Sequence, residues 1–336
     1  MTPQDQKMSK PVYRCTACFA ELKQWQGQCL KCKEWGTVKE VSGSSEGRGG
    51  SSPGAVNLPT YLEDLAIEQD RKVSTGSEAV DSLLGQGIPP GSVLLLSGEP
   101  GMGKSTFLLQ LASRLNQMGH KGLYVSGEES LGQIRQRSER LGLLERGPLF
   151  LNTTSCDDIL AVLEKSSPAV VVVDSVQTMH AVSAEGIPGS VSQVRAVSSL
   201  LVEAAKRAGI VLFLVGHVTK EGQIAGPKLL EHMVDTVLYL EGDKQHLFRI
   251  IRVVKNRFGP TSNILVLKMM DTGLQIVNDP STFFLEARDP SLSGTALIMA
   301  REGHKSFVIE VQSLVSRSFL TMPRRTALGL DTNRLK

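Results

Sequence analysis

The chain has 336 residues, a length that suggests about two domains with small attachments. Hydrophobic residues make up 41% and charged residues 21%, which is ordinary globular usage and excludes wholesale disorder and a continuous coiled coil. The formal net charge is +3, and residues 1–50 alone hold eight lysines and arginines against five acidic residues. This weak N-terminal excess is compatible with nucleic-acid binding through a local patch but does not establish it.

The sequence contains no pattern for membrane insertion or export. No stretch reaches the roughly 18 uncharged apolar residues of a membrane-spanning helix, and the polar start Met1–Lys10 lacks the apolar centre of a signal peptide. We therefore expect a cytoplasmic protein with no membrane partner. In that reducing compartment, clustered cysteines act as metal ligands more often than as disulfides.

Two CxxC motifs with ten residues between them, Cys15/Cys18 and Cys29/Cys32, indicate a four-cysteine zinc finger over residues 1–41. Each motif directs two thiolates at one tetrahedral Zn²⁺, and the metal replaces the hydrophobic core that so small a module lacks. A redox-active pair of motifs is the less favoured alternative. Four thiolates leave no open coordination position, so the predicted role is structural.

Residues 42–57 include the Gly/Ser-rich run SGSSEGRGGSSP, which has no apolar periodicity and predicts a flexible linker. Residues 58–279 have the composition of a folded domain. Within them, Thr75–Gly85 places Val80, Leu83 and Leu84 on one helical face.

The stretch Gly98–Ser105 (GEPGMGKS) matches G-x-x-x-x-G-K-[ST], follows the apolar run Val93–Leu96 and opens a helical segment, 106–118. Glycines let backbone N–H groups turn toward a polyphosphate, and the helix N-terminus favours negative charge. A glycine-rich turn that binds nothing is the disfavoured alternative. We expect Lys104 to contact the β- and γ-phosphates of ATP and Ser105 to hold Mg²⁺. The predicted ATP-binding residues are Gly98, Glu99, Pro100, Gly101, Met102, Gly103, Lys104, Ser105 and Thr106.

Acidic residues follow two of the predicted strands. The strand Gly122–Ser126 leads to Glu128 and Glu129, which suit either activation of an attacking water or capping of the next helix. Beside a phosphate loop, Glu128 is favoured as the water-activating residue, with Glu129 as support. The buried strand pattern at 168–174 delivers Asp174 to the sheet edge, where it is expected to complete the Mg²⁺ site, with the next residue, Ser175, as an assisting group.

Later features leave alternatives open. His217 follows the apolar strand 210–216, and its position suits equally a nucleotide sensor or an ordinary histidine. The irregular stretch 178–190 predicts a functional loop, and 220–228 predicts a surface loop. Strand-like segments after residue 233 suggest an antiparallel extension of a parallel sheet. Between two of them, the segment Lys255–Thr261 either presents a cation to a phosphate or forms a solvated turn.

Taken together, these motifs resemble the RadA/Sms family of DNA-repair ATPases, a branch of the RecA-like superfamily. The four-cysteine finger, the phosphate loop, VSGEES at 125–130, LEHMVDTVLYLEGD at 230–243 and KNRFG at 255–259 carry the resemblance. It implies an α/β RecA-like core, a hexameric ring with ATP between neighbours, and single-stranded DNA through the centre. It also implies a DNA-stimulated ATPase and helicase that promotes branch migration of branched recombination intermediates with a RecA-type recombinase.

Transferred residue by residue, the resemblance implies that Glu128 is the catalytic base, Asp174 the second Mg²⁺ anchor and His217 the sensor. Lys255 and Arg257 would act on the neighbour's ATP or on DNA. Stretches 178–190 and 219–228 correspond to two central DNA loops, with Lys220 and Lys228 as DNA contacts.

The last segment, residues 280–336, resembles only the beginning of the family's Lon-protease-like α+β domain, so we expect the chain to be cut inside that domain. Nothing in it suggests a Ser-Lys protease site. Two rival functions are a KaiC-type signalling ATPase and a zinc-bearing adaptor that does not act on DNA.

Overall fold

The computed structural model describes most of the chain and groups it into two compact units, Met1–Ala66 and Ile67–Lys336. The described residues are 12–16, 20–22, 24–41, 72–145, 147–217, 227–242, 247–279, 281, 285, 288–302, 305–319 and 324–329. The predicted linker, 42–57, lies outside them. Within the described residues, no helix combines the length and apolarity that crossing a bilayer requires.

In the first unit, three short strands form an antiparallel sheet in the order β2-β1-β3. They are β1 (Val12–Cys15), β2 (Glu21–Leu22) and β3 (Val38–Val41). The buried centre consists of Cys15, Cys29 and Val38, so cysteines take the place of a conventional core.

The second unit is an α/β domain. Along the chain, its first element is a helix and its last is a β-hairpin. Its helices are α1 (Glu78–Leu84), α2 (Lys104–Gln117), α3 (Leu131–Arg140), α4 (Cys156–Ser166), α5 (Val191–Ala208) and α6 (Pro227–Glu231). Its strands are β4 (Val93–Gly98), β5 (Gly122–Ser126), β6 (Leu149–Asn152), β7 (Val170–Asp174), β8 (Val211–His217), β9 (Thr236–Gly242), β10 (Phe248–Asn256), β11 (Ile264–Met270), β12 (Gly273–Ile276), β13 (Thr295–Glu302) and β14 (Lys305–Gln312).

Within the described part of the chain, nine of these strands form one sheet in the order β12-β11-β10-β9-β4-β8-β7-β5-β6. The strands from β9 to β6 in this order run parallel, whereas β10, β11 and β12 pair antiparallel. The predicted fold class, a mainly parallel sheet with an antiparallel extension, is therefore confirmed. β4 lies in the interior of the sheet with hydrogen-bonded neighbours on both sides.

Successive residues of β4 point to opposite faces of the sheet, and both faces are covered. Leu94 and Leu96 pack into a core that includes α1 and α2. Val93 and Leu95 pack into a second core that includes α4 and α5, in which Val194 of α5 is buried. Every residue of β4 is buried, which explains its unbroken apolar run before Ser97.

Parallel pairing aligns the carboxyl ends of the central strands. Gly98 of β4 lies in register with His217 of β8, and Ser126 of β5 lies in register with Asp174 of β7. The phosphate loop and the segments that follow β5 and β7 therefore leave the same edge of the sheet, where open α/β sheets bind ligands.

The strands β13 and β14 form a separate two-stranded antiparallel hairpin. Their sequences, TALIMARE and KSFVIEVQ, each contain a short apolar run. The assignment of residues 280–336 to a Lon-protease-like domain stays a prediction.

The structure predicts that Gly98 tolerates no side chain. Its φ is +151°, and a Cβ at this position would lie 2.2 Å from the carbonyl oxygen of Leu240 on β9. Gly98→Ala must shift backbone and is expected to lower the free energy of unfolding by about 1–3 kcal/mol, as overpacking does. Chemical denaturation measures this loss.

Gly132→Ala in α3 is the matched control, because a Cβ there has only the Ser130 Oγ at 4.0 Å. This control is expected to leave stability unchanged or slightly higher. Equal stability of Gly98→Ala and the wild type would contradict the close approach of β4 and β9.

Candidate functional site

The phosphate loop connects the end of β4 to the first turn of α2. Gly101 and Gly103 have φ values of +81° and +102°, which glycine adopts without strain. Gly103 is the N-cap of α2, and no acidic residue occupies the first helical turn. Free backbone N–H groups and the positive end of the helix dipole therefore combine at this point, which suits a polyphosphate.

Lys104 lies in the centre of the site with only 4% of its surface exposed. Its Nζ donates to the carbonyl oxygens of Gly98, at 2.9 Å, and Glu99, at 3.0 Å. Burial lowers the pKa of Lys104, and the nearby carboxylates of Asp174 and Glu128 partly oppose that shift. The Lys104 ammonium is thus held at the phosphate loop, close to the carboxylates of Asp174 and Glu128.

Asp174 ends β7 and is buried, with 5% exposure. Its Oδ2 accepts a hydrogen bond of 2.6 Å from the hydroxyl of Tyr124 on the adjacent β5. Burial and the Asp174 charge raise the pKa of Tyr124 well above its usual value, so the phenol stays a donor. The second carboxylate oxygen of Asp174 and the hydroxyl of Ser105 are hard oxygen ligands of the kind that Mg²⁺ prefers.

Glu128 follows β5 and is held against the residue after Asp174. The hydroxyl of Ser175 donates to Glu128 Oε1 at 2.5 Å, and the Gly127 N–H donates to the Asp174 carbonyl at 2.8 Å. Glu128 and Asp174 both attract the Lys104 ammonium. The structure therefore brings Lys104, Glu128 and Asp174 together, as the sequence predicted, and adds Ser175 as the partner of Glu128.

Glu128 and Glu129 allow two interpretations from the sequence: activation of water and capping of the next helix. Glu129 fits the second. Its carboxylate pairs with Arg137 of α3, and its carbonyl accepts from Asn152 at 2.8 Å. The N-cap of α3 is Ser130, which forms a capping box with Gln133. Glu129 thus fixes the helix start, while Glu128 alone of this pair contacts Ser175.

Two predicted loop features are only partly described. His217 ends β8 opposite Gly98, which places its backbone at the phosphate edge, but its side chain and Lys220 lie outside the described residues. Lys228 lies in α6 and is exposed. The stretch 178–190 connects β7 to α5, as the sequence predicted.

The KNRFG segment lies at the opposite edge of the sheet. The Arg257 Nη1 contacts Asp235 Oδ1 at 3.1 Å, and the other oxygen of Asp235 accepts from the N–H of Val93, the first residue of β4. β4 has six residues, so this cluster lies about 17 Å from Gly98 at ordinary strand rise. Arg257 therefore cannot reach the phosphate loop of its own chain.

Lys255 is hydrogen-bonded within this cluster. Its Nζ donates to the carbonyl oxygens of Glu231, at 2.6 Å, and Val234, at 2.7 Å, at the end of α6. Burial and the neighbouring Arg257 charge lower the pKa of Lys255, against the attraction of Asp235. In this conformation Lys255 fixes the end of α6.

The N-terminal unit contains a cysteine cluster. The Sγ atoms of Cys15, Cys29 and Cys32 all lie within 4.8 Å of one another, with Cys15 and Cys32 at 3.6 Å. Cys18, the fourth predicted ligand, lies outside the described residues. Three converging thiols fit a tetrahedral thiolate site for Zn²⁺.

The fifth cysteine takes no part in either site. Cys156 is buried, and burial together with the Asp157 charge raises its pKa to about 11. It therefore stays a protonated core residue.

Comparison with known proteins supports both units. A family model described as KaiC matches residues 73–146, and one described as rubredoxin metal binding domain matches residues 13–40. Among solved structures, a KaiC-like protein from Pyrococcus horikoshii superposes with a TM-score of 0.50, at 21% identity, over 62% of this chain and 99% of its own. That likeness concerns the fold alone.

Curated relatives match almost the whole chain. The DNA repair protein RadA of Pseudomonas aeruginosa is 44% identical over 97% of this chain and 73% of its own length. The proteins of the same name from Bacillus subtilis and Escherichia coli are each 40% identical, over 72% and 73% of their lengths.

The family model described as KaiC, together with these relatives, indicates an ATP-hydrolysing enzyme with a RecA- and KaiC-like core, and Lys104, Glu128 and Asp174 lie together at its sheet edge. With relatives this similar over this share of their length, the chain belongs to the RadA family of DNA repair proteins. The resemblance drawn from the motifs is confirmed.

The cysteine geometry predicts one Zn²⁺ per chain. Cys29→Ser with Cys32→Ser removes two thiolates from the cluster and is expected to reduce bound zinc from about one ion per chain to none. Atomic absorption on the purified variant measures it. The thermal transition of the ATPase unit should stay unchanged, because the core of that unit contains no residue of the cluster.

Cys156→Ser is the control for removing a cysteine outside the cluster and should keep full zinc content. Retention of zinc by the double variant would show that the cluster is not its site.

Proposed function

We propose that this protein is a DNA-dependent ATPase and helicase of homologous recombination and DNA repair. It acts in the cytoplasm, translocates on single-stranded DNA and promotes branch migration together with a RecA-type recombinase. One observation carries the proposal: a catalytic arrangement of Lys104, Glu128 and Asp174 at the sheet edge of a chain whose relatives are named DNA repair proteins.

The proposed reaction is in-line attack of water on the γ-phosphate of ATP. Glu128, fixed by Ser175, orients the water and accepts its proton. Lys104, already directed toward the phosphate cradle, neutralises charge that develops on the transferred group. Ser105 and Asp174 would hold Mg²⁺, which neutralises phosphate charge when bound. His217, at the end of the neighbouring strand, is proposed to sense the γ-phosphate and change the loop that follows it.

DNA contact is proposed for the two stretches that leave this edge, 178–190 and 219–228, with Lys220 and Lys228 as phosphate contacts. Their attachment to β7 and β8 supports this, because each begins beside a residue of the nucleotide site. A change at the nucleotide has a short path to each loop.

The DNA-dependent function predicts that single-stranded DNA raises the ATPase rate severalfold. Steady-state phosphate release is measured with and without an unstructured oligonucleotide at constant salt, because phosphate contacts are salt-dependent. Lys104→Ala is the control for contaminating activity and should show no hydrolysis under either condition. A wild-type rate that DNA leaves unchanged would favour the rivals.

The first rival is a KaiC-like signalling ATPase, favoured by the matching family model and by the fold likeness. The second is a zinc-bearing adaptor that uses ATP only to set its assembly state. Neither requires stimulation by DNA.

A composite site between neighbouring copies in a hexameric ring is the further part of this proposal. Arg257 is 55% exposed and lies at the edge opposite its own phosphate loop, so a head-to-tail neighbour is required for it to meet ATP. Lys255 would first have to leave the carbonyl oxygens at the end of α6.

The composite site predicts that two inactive variants complement each other. Lys104→Ala lacks the phosphate contact, and Arg257→Ala lacks the contact made by a neighbour, so each alone should lose most of the ATPase rate. Their mixture forms some sites with both residues intact and should regain a measurable part of the wild-type rate. Phosphate release from an equimolar mixture measures this.

Lys165→Ala is the matched control for loss of a surface cation. Lys165 is exposed on α4 and belongs to neither the nucleotide site nor the Arg257 cluster, so this variant should keep wild-type activity. A mixture no more active than its components would contradict action between copies.

A further inference from the structure

Ser175 contacts the proposed catalytic residue from a fully buried position. Its relative exposure is 0%, and its hydroxyl donates to Glu128 Oε1. It directly follows Asp174, so its backbone is fixed by β7. A carboxylate that must orient water gains from a fixed partner, because small displacements of a catalytic group cost rate steeply.

Thr178 fixes Ser175 from the other side. The backbone N–H and side-chain hydroxyl of Thr178 both donate to the Ser175 carbonyl, at 3.3 and 2.8 Å. The single 3₁₀ turn Val176–Thr178 therefore closes directly behind Ser175. A Cβ at Gly127 would lie 2.3 Å from the Thr178 hydroxyl oxygen, so the turn also packs against the residue that precedes Glu128.

The buried Met179 and then His180, whose backbone is hydrogen-bonded to Thr154 and Cys156, connect this turn to the loop 181–189. The buried amide of Gln193 holds this loop: Oε1 accepts from the Ala181 N–H at 2.8 Å, and Nε2 donates to carbonyl oxygens of Ala181, Ala184 and Gly186. The outer side chains are accessible, with Val182 82% and Ile187 78% exposed. The loop is thus held by Gln193 and is joined to Ser175 through the five residues 176–180.

We propose that Ser175 is the positioning residue that holds Glu128 for water activation, and that Thr178 couples this position to the loop 181–189. A partner that displaces the loop moves the turn and thereby changes how Ser175 holds Glu128. The coupling to the loop rests on the proposed function, in which that partner is single-stranded DNA, whereas the positioning of Glu128 requires only ATP hydrolysis.

Ser175→Ala tests the first part. Loss of the hydroxyl is expected to lower kcat by about 10- to 100-fold, which does not exceed the usual cost of removing a general base. KM for ATP is expected to stay within about twofold of the wild-type value. Ser175→Thr keeps the hydroxyl and should restore a large part of kcat. Steady-state ATPase assays and binding of a non-hydrolysable ATP analogue separate kcat from affinity.

Ser198→Ala is the matched control, because Ser198 is also 0% exposed and its hydroxyl has no hydrogen-bond partner among the described residues. It should leave kcat unchanged. Unchanged kcat in Ser175→Ala would overturn the proposal. Recovery of its kcat at high Mg²⁺ would also overturn it, since Ser175 would then serve the metal rather than Glu128.

A double-variant cycle tests whether Ser175 acts through Glu128 even if Ser175→Thr fails to fold. Glu128→Gln removes the carboxylate, so adding Ser175→Ala to it should cost little further rate. If the rate loss of the double variant equals the product of the two single losses, Ser175 acts independently of Glu128. That result would overturn the proposal.

Thr178→Val and Thr178→Ser test the coupling. Thr178→Val lacks the hydroxyl and should reduce the ratio of DNA-stimulated to basal rate toward one, whereas Thr178→Ser should keep the wild-type ratio. Equal ratios in the two variants would overturn the coupling. If the wild type itself shows no stimulation by DNA, the proposed DNA-dependent function fails, and the test of Ser175 stands unaffected.

Discussion

The close approach of β4 and β9 at Gly98 is the constraint on which the nucleotide site depends. A carbonyl of β9 occupies the space where a side chain would stand, so only glycine lets the chain leave β4 toward the phosphate. β4 is fully buried and paired on both sides, which holds the loop rigidly. The position of Lys104, and through it the distances to Glu128 and Asp174, follow from this anchoring.

The central sheet holds two groups of functional side chains at opposite ends of its strands. Phosphate contacts and carboxylates gather at the carboxyl edge, whereas Arg257, Lys255 and Asp235 gather at the amino edge. Asp235 connects the second group to the first residue of β4, so one strand carries both clusters at opposite ends. Only in the proposed composite site would Arg257 meet ATP, because its own phosphate loop lies at the opposite end of β4.

Within the carboxyl edge, the loops that leave the strands are not independent of the catalytic residues. Ser175 contacts Glu128, and the turn after Ser175 is followed by Met179, His180 and then the loop held by Gln193. In the proposed coupling, this continuous stretch of chain lets a ligand of the loop change how Ser175 holds Glu128. The cysteine unit has its own sheet and its own core.

The sequence by itself determined the phosphate loop, the cysteine motifs and the mainly parallel character of the sheet, and it predicted the roles of Lys104 and Asp174. These features depend on local spacing and on strand ends that share one edge. The sequence already favoured Glu128 over Glu129, and the tertiary structure adds their different partners: Glu129 pairs with Arg137 of α3, whereas Glu128 accepts from Ser175, which follows β7 and lies 47 residues away in the chain. Only the tertiary structure placed Lys255 and Arg257 at the opposite edge. That placement depends on antiparallel pairing across the sheet, which no local pattern encodes.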